Sequence, residues 1–308
     1  MKFRFDVLFK GMAMGAADVV PGVSGGTIAF ISGIYEELLD SIKAVNIAAF
    51  RTLFREGFSA FWKQINGSFL LPLFLGILIS LRSLAEVIKF LLRDHPILLW
   101  SFFLGLIIAS VVFVARQIPK WNASSVIFLL IGTGVAYWIT VISPAQGPTA
   151  LWFVFVSGVI AICAMILPGI SGSFLLLLMG MYGTIIGAVT DRNILILGVF
   201  AAGALVGLAS FARILSWTFK RYEAPTLAIL TGFMIGSLNK VWPWKHTLET
   251  RINRHGEEVP FLQENTLPWN HEVVTGQDPQ TLFAVLCVIL GFALVFFLER
   301  WGKQQKIK

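Results

Sequence analysis

Charge is what this 308-residue sequence has least of. Asp, Glu, Lys and Arg together make up 13% of it, against 56% apolar residues, and the mean hydropathy is +0.79. So few charges cannot coat a soluble globule of this length, which excludes an ordinary water-soluble enzyme and points to a polytopic membrane protein. Acids are scarcer than bases, 17 against 24, giving a net charge of +7. The bases are scattered through short segments between apolar runs and form no patch, so they read as topology signals and not as a nucleic-acid surface. Cysteine is nearly absent. Cys163 and Cys287 both fall within apolar runs, with no Cys-x-x-Cys or Cys/His ligand spacing, so neither a disulfide nor a metal site is expected. No cofactor-binding motif is present either.

What is there is a helix interrupter written twice. Pro21-Gly22-Val23-Ser24-Gly25-Gly26 returns 147 residues later as Pro168-Gly169-Ile170-Ser171-Gly172-Ser173, and at the same offset Gly33 falls on Gly180 and Tyr35 on Tyr182. Proline removes a backbone donor and the glycines favour non-helical angles, so a helix entering either copy must break and restart. Inside a bilayer such a break is tolerated only where it is buried in protein or lines a watery cavity. Ser24, Thr27, Ser171 and Ser173 stand beside the restarting amides, a combination suited to an anion. Paired interruptions at corresponding positions of two halves are the sequence mark of a transporter's binding site.

In chain order, 7–35 predicts a broken or re-entrant hairpin whose arms are shorter than the ~20 residues of a full span. Lys2, Arg4 and Lys10 before an apolar run imitate a signal peptide, but the duplication argues against cleavage, which would part the first motif from its leading helix. Residues 36–67 carry Phe50, Phe54, Phe58, Phe61 and Trp62 among basic residues, an amphipathic surface helix or a cap packed on the protein. Spans are expected at 69–92, 97–115 and 126–141. The first carries Arg82, Glu86, Lys89 and Arg93 as one stripe. The Pro- and Gly-containing stretch 143–150 is read as a connector, dividing the chain into units 1–143 and 144–308. The second unit holds a hairpin at 151–187, spans at 194–219, 226–241 and 281–298, and a polar periplasmic loop at 239–280. Within that loop Trp242, Trp244 and Trp269 suggest an interfacial belt, and His246, His255 and His271 read as exposed.

Smaller residues repeat as well. Gly76, Gly105 and Ser110 reappear as Gly203, Gly232 and Ser237 at an offset of 127, and Gly132 as Gly291 at 159. The expected fold is therefore an all-α polytopic membrane protein of two repeats, each a broken hairpin plus three transmembrane helices. An odd number of crossings per repeat turns the second upside down. With both termini cytoplasmic, fifteen of the 24 basic residues fall inside and six outside, the asymmetry an inverted-topology repeat requires.

The run GMAMGAADVVPGVSGGTIAFISGIYEEL and its echo LPGISGSFLLLLMGMYG resemble the polyprenyl-phosphate transporter family, over nearly the whole chain. The resemblance implies a flippase, not an enzyme, that returns undecaprenyl phosphate from the outer to the inner leaflet of the bacterial plasma membrane for cell-envelope synthesis. Its implied partners are that lipid and the surrounding membrane lipids, with a homo-oligomer left open. Pro21, Gly22, Ser24, Gly25, Gly26, Thr27, Pro168, Gly169, Ser171, Gly172 and Ser173 are the expected substrate-binding residues. Arg82 and Arg213 are the candidate cations, since guanidinium pairs with phosphate bidentately; the alternatives are an Arg82–Glu86 pair and an Arg213 that snorkels to the interface. Asp18, with Met165 at its place in the second repeat, is either a coupling carboxylate or a cap on the broken helix. Tyr35 and Tyr182 read as interfacial anchors. The alternatives are a membrane-embedded undecaprenyl-pyrophosphate phosphatase and a small-ion transporter. Phosphatases of that type resemble this pattern but carry an arginine where Gly25 and Gly172 stand here.

Overall fold

The computed structural model describes residues 4–20, 23–142, 147–148, 150–252 and 258–306. Pro21 and Gly22, the expected connector over most of its length, Lys2, Arg254, His255 and Lys308 lie outside the described residues. Helices dominate. In the first half, α1 (Phe5–Val19) stops at Val20, whose amide turns back to Ala17 O, and α2 (Gly25–Ile31) restarts beyond the motif with Ser24 as its N-cap. Gly33, at φ +72°, ends α2 by the left-handed turn that glycine alone adopts without strain, and α3 (Tyr35–Ala44) follows. The aromatic-basic stretch folds as α4 (Ile47–Glu56), capped by Asn46, and α5 (Phe58–Gln64), separated at Gly57 with φ +88°. Phe54 and Ile47 stand 85% and 75% exposed there, apolar area that a membrane surface would cover.

The span expected at 69–92 is instead two helices, α6 (Gly67–Ser83) and α7 (Ala85–Asp94), parted at Leu84. The break falls within the charged stripe: Arg82 lies in the last turn of α6, and Glu86, Lys89 and Arg93 go with α7. Then come α8 (Pro96–Ala115) and α9 (Ala123–Val141). The second half repeats the scheme with α10 (Leu151–Ile166), α11 (Gly172–Leu178), α12 (Tyr182–Thr190), α13 (Ile194–Arg221) and α14 (Glu223–Ser237). Gly180, at φ +69°, makes the same turn as Gly33, and the amide of the next residue reaches back in both: Ile34 to Ala29 O and Met181 to Leu176 O. Among the described residues three helices, α8, α9 and α13, are long and apolar enough to cross a membrane, and up to five spans exist if each bent pair is counted as one.

The polar stretch after α14 departs from the all-helical expectation. It folds as an antiparallel hairpin of β1 (Lys245–Ile252) and β2 (Glu258–Asn265), pairing Lys245 with Asn265 and His246 with Glu264, followed by α15 (Pro268–Thr275). Thr247, Thr250, Ile252 and Val259 are β-branched residues that suit a strand better than a helix. Under it, Trp242 and Trp244 stack edge to face at 5.5 Å, with their indoles donating to Thr266 O and Pro279 O. Trp244 is buried and only Trp269 of the three tryptophans is exposed, so two members of the expected belt are core. His271 is buried too, its Nδ1 3.1 Å from the Thr266 hydroxyl, contrary to the exposed reading. The last helix is α16 (Thr281–Lys306), with an apolar stretch studded by exposed Leu282, Phe283, Ile289 and Phe297.

Four helix pairings build the body: α1 on α6, α10 on α13, α8 on α16 and α9 on α14. Each is set by glycine. A Cβ on Gly76 would collide with Leu8 O, and one on Gly203 with Phe155 O. Gly11 meets Leu73 O where Gly158 meets Phe200 O; Gly105 meets Val288 O where Gly232 meets Leu129 O; Gly132 meets Ile229 O where Gly291 meets Phe102 O. The two members of every comparison stand at the 147, 127 and 159 offsets, so the close approaches, and not only the motif, occur twice. Small residues at such crossings let backbones pack in a bilayer, where no hydrophobic effect drives helices together. The last two pairings join one helix from each half.

Candidate functional site

The two interrupted segments meet, and they meet unequally. α10 ends at Ile166 with the carbonyls of its last turn lacking intrahelical partners, as at any helix C-terminus. The first motif supplies them. The Ser24 hydroxyl lies 3.1 Å from both Met165 O and Leu167 O, and Tyr35 donates to Ile166 O at 3.0 Å. Ser24 also accepts from Gly26 N, so its capping and bridging capacity is used in full. Thr27 accepts the amide of Gly169 at 3.0 Å, and a Cβ on Gly26 would strike Ile166 O. Tyr35 is buried, 5.0 Å from the Phe30 ring and 5.8 Å from Phe219, a core residue where an interfacial anchor was expected. Asp18 spans the first break: its Oδ1 accepts from Gly25 N at 2.7 Å.

The second motif does not return these bonds. Ser171, the N-cap of α11, makes no capping hydrogen bond with its side chain; its hydroxyl lies 2.9 Å from that of Ser173. Gly169 takes φ +86°, and its Cα face lies against the backbone of Phe233 and Met234 in the last turn of α14, an approach no side chain would permit. Buried Pro168 precedes it, and a Cβ on Gly172 would meet Ala161 O. Along this loop runs a small cleft lined by Gly169, Ile170, Ser171 and Phe174, by Ala136, Ile139 and Thr140 of α9, and by Ser237 and Lys240. It has room for little more than one water. α9 beside it exposes Tyr137, Trp138 and Val141. A second cavity, about 110 Å³ between α8 and α16, presents Arg116 and aromatic rings but no motif residue.

Lys240 is the residue that sequence reasoning missed. It lies in the polar stretch 239–280, three positions beyond α14. The structure turns it back over the second loop, its Nζ 4.3 Å from the centroid of Phe174. Three hydrogen bonds hold the chain at Asn239 and Lys240. Asn239 donates to Thr140 Oγ1 at 2.7 Å, Asn265 of the hairpin donates to Asn239 O at 2.8 Å, and Lys245 Nζ donates to Lys240 O at 2.6 Å. Lys245 itself sits 4.2 Å from the Trp100 ring centroid. Burial pulls the Lys240 ammonium below the usual lysine range; burial and then the Lys240 charge do the same, more strongly, to Lys245. The only available signal in the sequence was a lysine so close behind a short apolar run. Arg82 and Arg213, by contrast, stand on exposed faces of α6 and α13, and neither lines the cleft.

A cleft edged by the paired Ser171 and Ser173 hydroxyls and one ammonium can hold an anion. It offers no carboxylate or imidazole to activate a serine among its lining residues, and Gly25 and Gly172 leave no space for a phosphatase arginine, since the first is pressed on the Asp18 carboxylate and the second on Ala161 O. The family model described as undecaprenyl phosphate translocase-like matches residues 14–259. The chain is 50% identical over 295 residues to a polyprenyl-phosphate transporter of Vibrio cholerae, covering 96% of each. It is 33% identical over 261 residues to a polyprenyl-phosphate transporter of Staphylococcus aureus, covering 79% of this chain and 87% of that one. No solved structure matches it.

Proposed function

Because the chain belongs to the undecaprenyl phosphate translocase-like family, we propose that it is a flippase returning undecaprenyl phosphate from the outer to the inner leaflet of the bacterial plasma membrane, where cell-envelope synthesis reuses it. The observation that carries this reading is the inequality of the two loops. The first is spent on fastening the second, and the second keeps Ser171, in contact with Ser173, on a small cleft that Lys240, Thr140 and Ser237 share with apolar side chains and that exposed α9 borders. A polyprenyl tail can stay in the hydrocarbon while only its phosphate uses such a cleft. Moving that headgroup breaks no covalent bond, so the protein needs hydrogen-bond donors and a cation and no nucleophile.

In this reading the two halves are inverted repeats, both termini are cytoplasmic, and the duplicated glycine crossings are what a pseudo-two-fold axis in the membrane plane would generate. Pro168, Gly169, Ser171, Gly172 and Ser173 act at the phosphate. Ser24, Gly25, Gly26 and Thr27 act through the joint that shapes that loop. Arg82 and Arg213 are assigned to the headgroup's route over the protein surface, outside the cleft. Asp18 is the coupling candidate, since protonating it would weaken its bond to Gly25 N and free the start of α2.

The test is reconstitution in liposomes holding a head-labelled polyprenyl phosphate in one leaflet, with the label quenched from outside. Protein-dependent loss of leaflet asymmetry is expected for the monophosphate and not for the neutral prenol. Release of inorganic phosphate from a polyprenyl diphosphate, abolished by Ser171→Ala, would establish the phosphatase instead.

A further inference from the structure

A lysine drawn from water into a protein is ordinarily paired with a carboxylate or kept at the surface. Lys240 is neither. Among the described residues no acid pairs with it, and its ammonium rests on the Phe174 ring, 4.3 Å from the centroid, at the rim of the cleft that Gly169, Ile170 and Ser171 line. A cation on an aromatic face is held weakly compared with one on an anion, so the ring is a resting place that a phosphate would outcompete. Lys245 is not available for this task, because its ammonium is already bonded to Lys240 O and seated over Trp100.

The covering hairpin explains how a residue in a polar loop is kept at this spot. Asn265 of β2 holds Asn239, Lys245 of β1 holds Lys240 O, and Thr140 of α9 accepts from Asn239, so the chain is fixed here while the ammonium of Lys240 has the Phe174 ring as its partner. No symmetry mate exists. Lys240 falls on Phe113 at the 127 offset, so the cation belongs to one loop only, as the Ser171–Ser173 hydroxyl pair does.

We propose that Lys240 is the cation that binds the phosphate headgroup: its ammonium leaves the Phe174 ring and, with the Ser171 hydroxyl, grips a phosphomonoester at the mouth of the cleft. The hairpin of β1 and β2 is then a brace for this lysine. The assignment rests on the transporter reading, and it replaces the two exposed arginines as the charge within the site.

The experiment uses the full chain purified in detergent micelles, with farnesyl phosphate, farnesol and inorganic phosphate as probes and binding read by thermal shift and by calorimetry. Wild type binds farnesyl phosphate better than farnesol. Lys240→Gln weakens it by about ten- to a hundredfold, the loss expected for a hydrogen bond to a charged group. Lys240→Arg keeps most of the affinity, and Lys63→Gln, an exposed residue of α5, changes nothing. Phe174→Leu, which removes the competing ring, tightens binding; this variant decides the matter if Lys240→Gln does not fold. Wild-type binding with Lys240→Gln or Phe174→Leu indistinguishable from it overturns the role of Lys240 and leaves the transporter reading standing. Farnesyl phosphate bound no better than farnesol by wild type overturns both. Inorganic phosphate binding as tightly as farnesyl phosphate would make this a free-phosphate site and overturn the lipid headgroup as its occupant.

Discussion

Thr27 accepts the backbone amide of Gly169 at 3.0 Å, across 142 residues of chain. A threonine of the first motif thereby satisfies a donor that the second motif's own break has released, and it does so in the buried centre of the molecule. Thr27→Val keeps the shape and removes the acceptor. It should lower stability by about 1–3 kcal/mol, the cost of leaving a buried amide unpaired. Thr27→Ser should restore most of it. Thermal unfolding in detergent measures both, and equal stability of all three would show that the bond holds nothing together.

Ser24 and Ser171 occupy the same place in their motifs but should fail in different assays. Ser24→Ala removes a cap and the bridge to Met165 O and Leu167 O, so melting should suffer while affinity per folded molecule is kept. Ser171→Ala should melt like wild type and lose ~1.5–3 kcal/mol of phosphate binding. The reverse pattern would exchange the roles of the two loops.

Asp18 separates capping from coupling through its isostere. Asparagine can still accept from Gly25 N, so Asp18→Asn should fold as well as wild type, whereas Asp18→Ala should lose about 1 kcal/mol as a missing cap. If the carboxylate carries a proton during transport, Asp18→Asn flattens the pH dependence of liposome transport. An unchanged profile would leave it a cap.

Lys240 gives a pH dependence of its own. Its folded-state pKa is depressed by burial, so the ammonium is lost at lower pH than the ~10.4 of a free lysine. A phosphomonoester is fully ionised above its second pKa of ~6, so between neutral and alkaline pH its own charge is constant and farnesyl phosphate affinity should fall as pH rises. The unliganded protein should respond with the opposite sign: a depressed lysine pKa means the unfolded chain binds more protons, so stability rises with pH through that window. Lys245, depressed in the same direction, contributes to the second effect, and Lys240→Gln should therefore flatten the affinity profile fully and the stability profile only in part.

The glycine crossings were legible in the sequence because a backbone collision tolerates one residue type, and Gly76, Gly105 and Gly132 could be matched to Gly203, Gly232 and Gly291 without knowing what they touched. The interrupted helices were legible for the same reason. The site's charge was not, because nothing local to Lys240 distinguishes it from Arg251 or any other loop base; it acquires its meaning from Asn265, Lys245 and Thr140, which tertiary folding delivers. The hairpin of β1 and β2 was hidden by mixed polarity. The commitment of Ser24 and Tyr35 to the end of α10 was hidden because two equal motifs gave no reason to expect unequal duties.

Leu substitutions at duplicated glycines offer a check on the crossings. Gly76→Leu and Gly203→Leu should each prevent α6 from seating on α1 and α13 on α10, with similar loss of folded yield on size exclusion. A tolerated change at only one of the pair would mean that the two crossings differ in tightness.

Because α8 lies against α16 and α9 against α14, the order in which the chain is made leaves its middle helices waiting. When α9 has entered the membrane, the face of α8 around Gly105 lacks its partner until the last helix emerges more than 160 residues after α8 ends. A ribosome that stalled after α14 would release a chain whose α9 is matched and whose α8 is not, so quality control in the membrane has a clear distinguishing mark: an unfilled groove at Gly105 that only α16 can close.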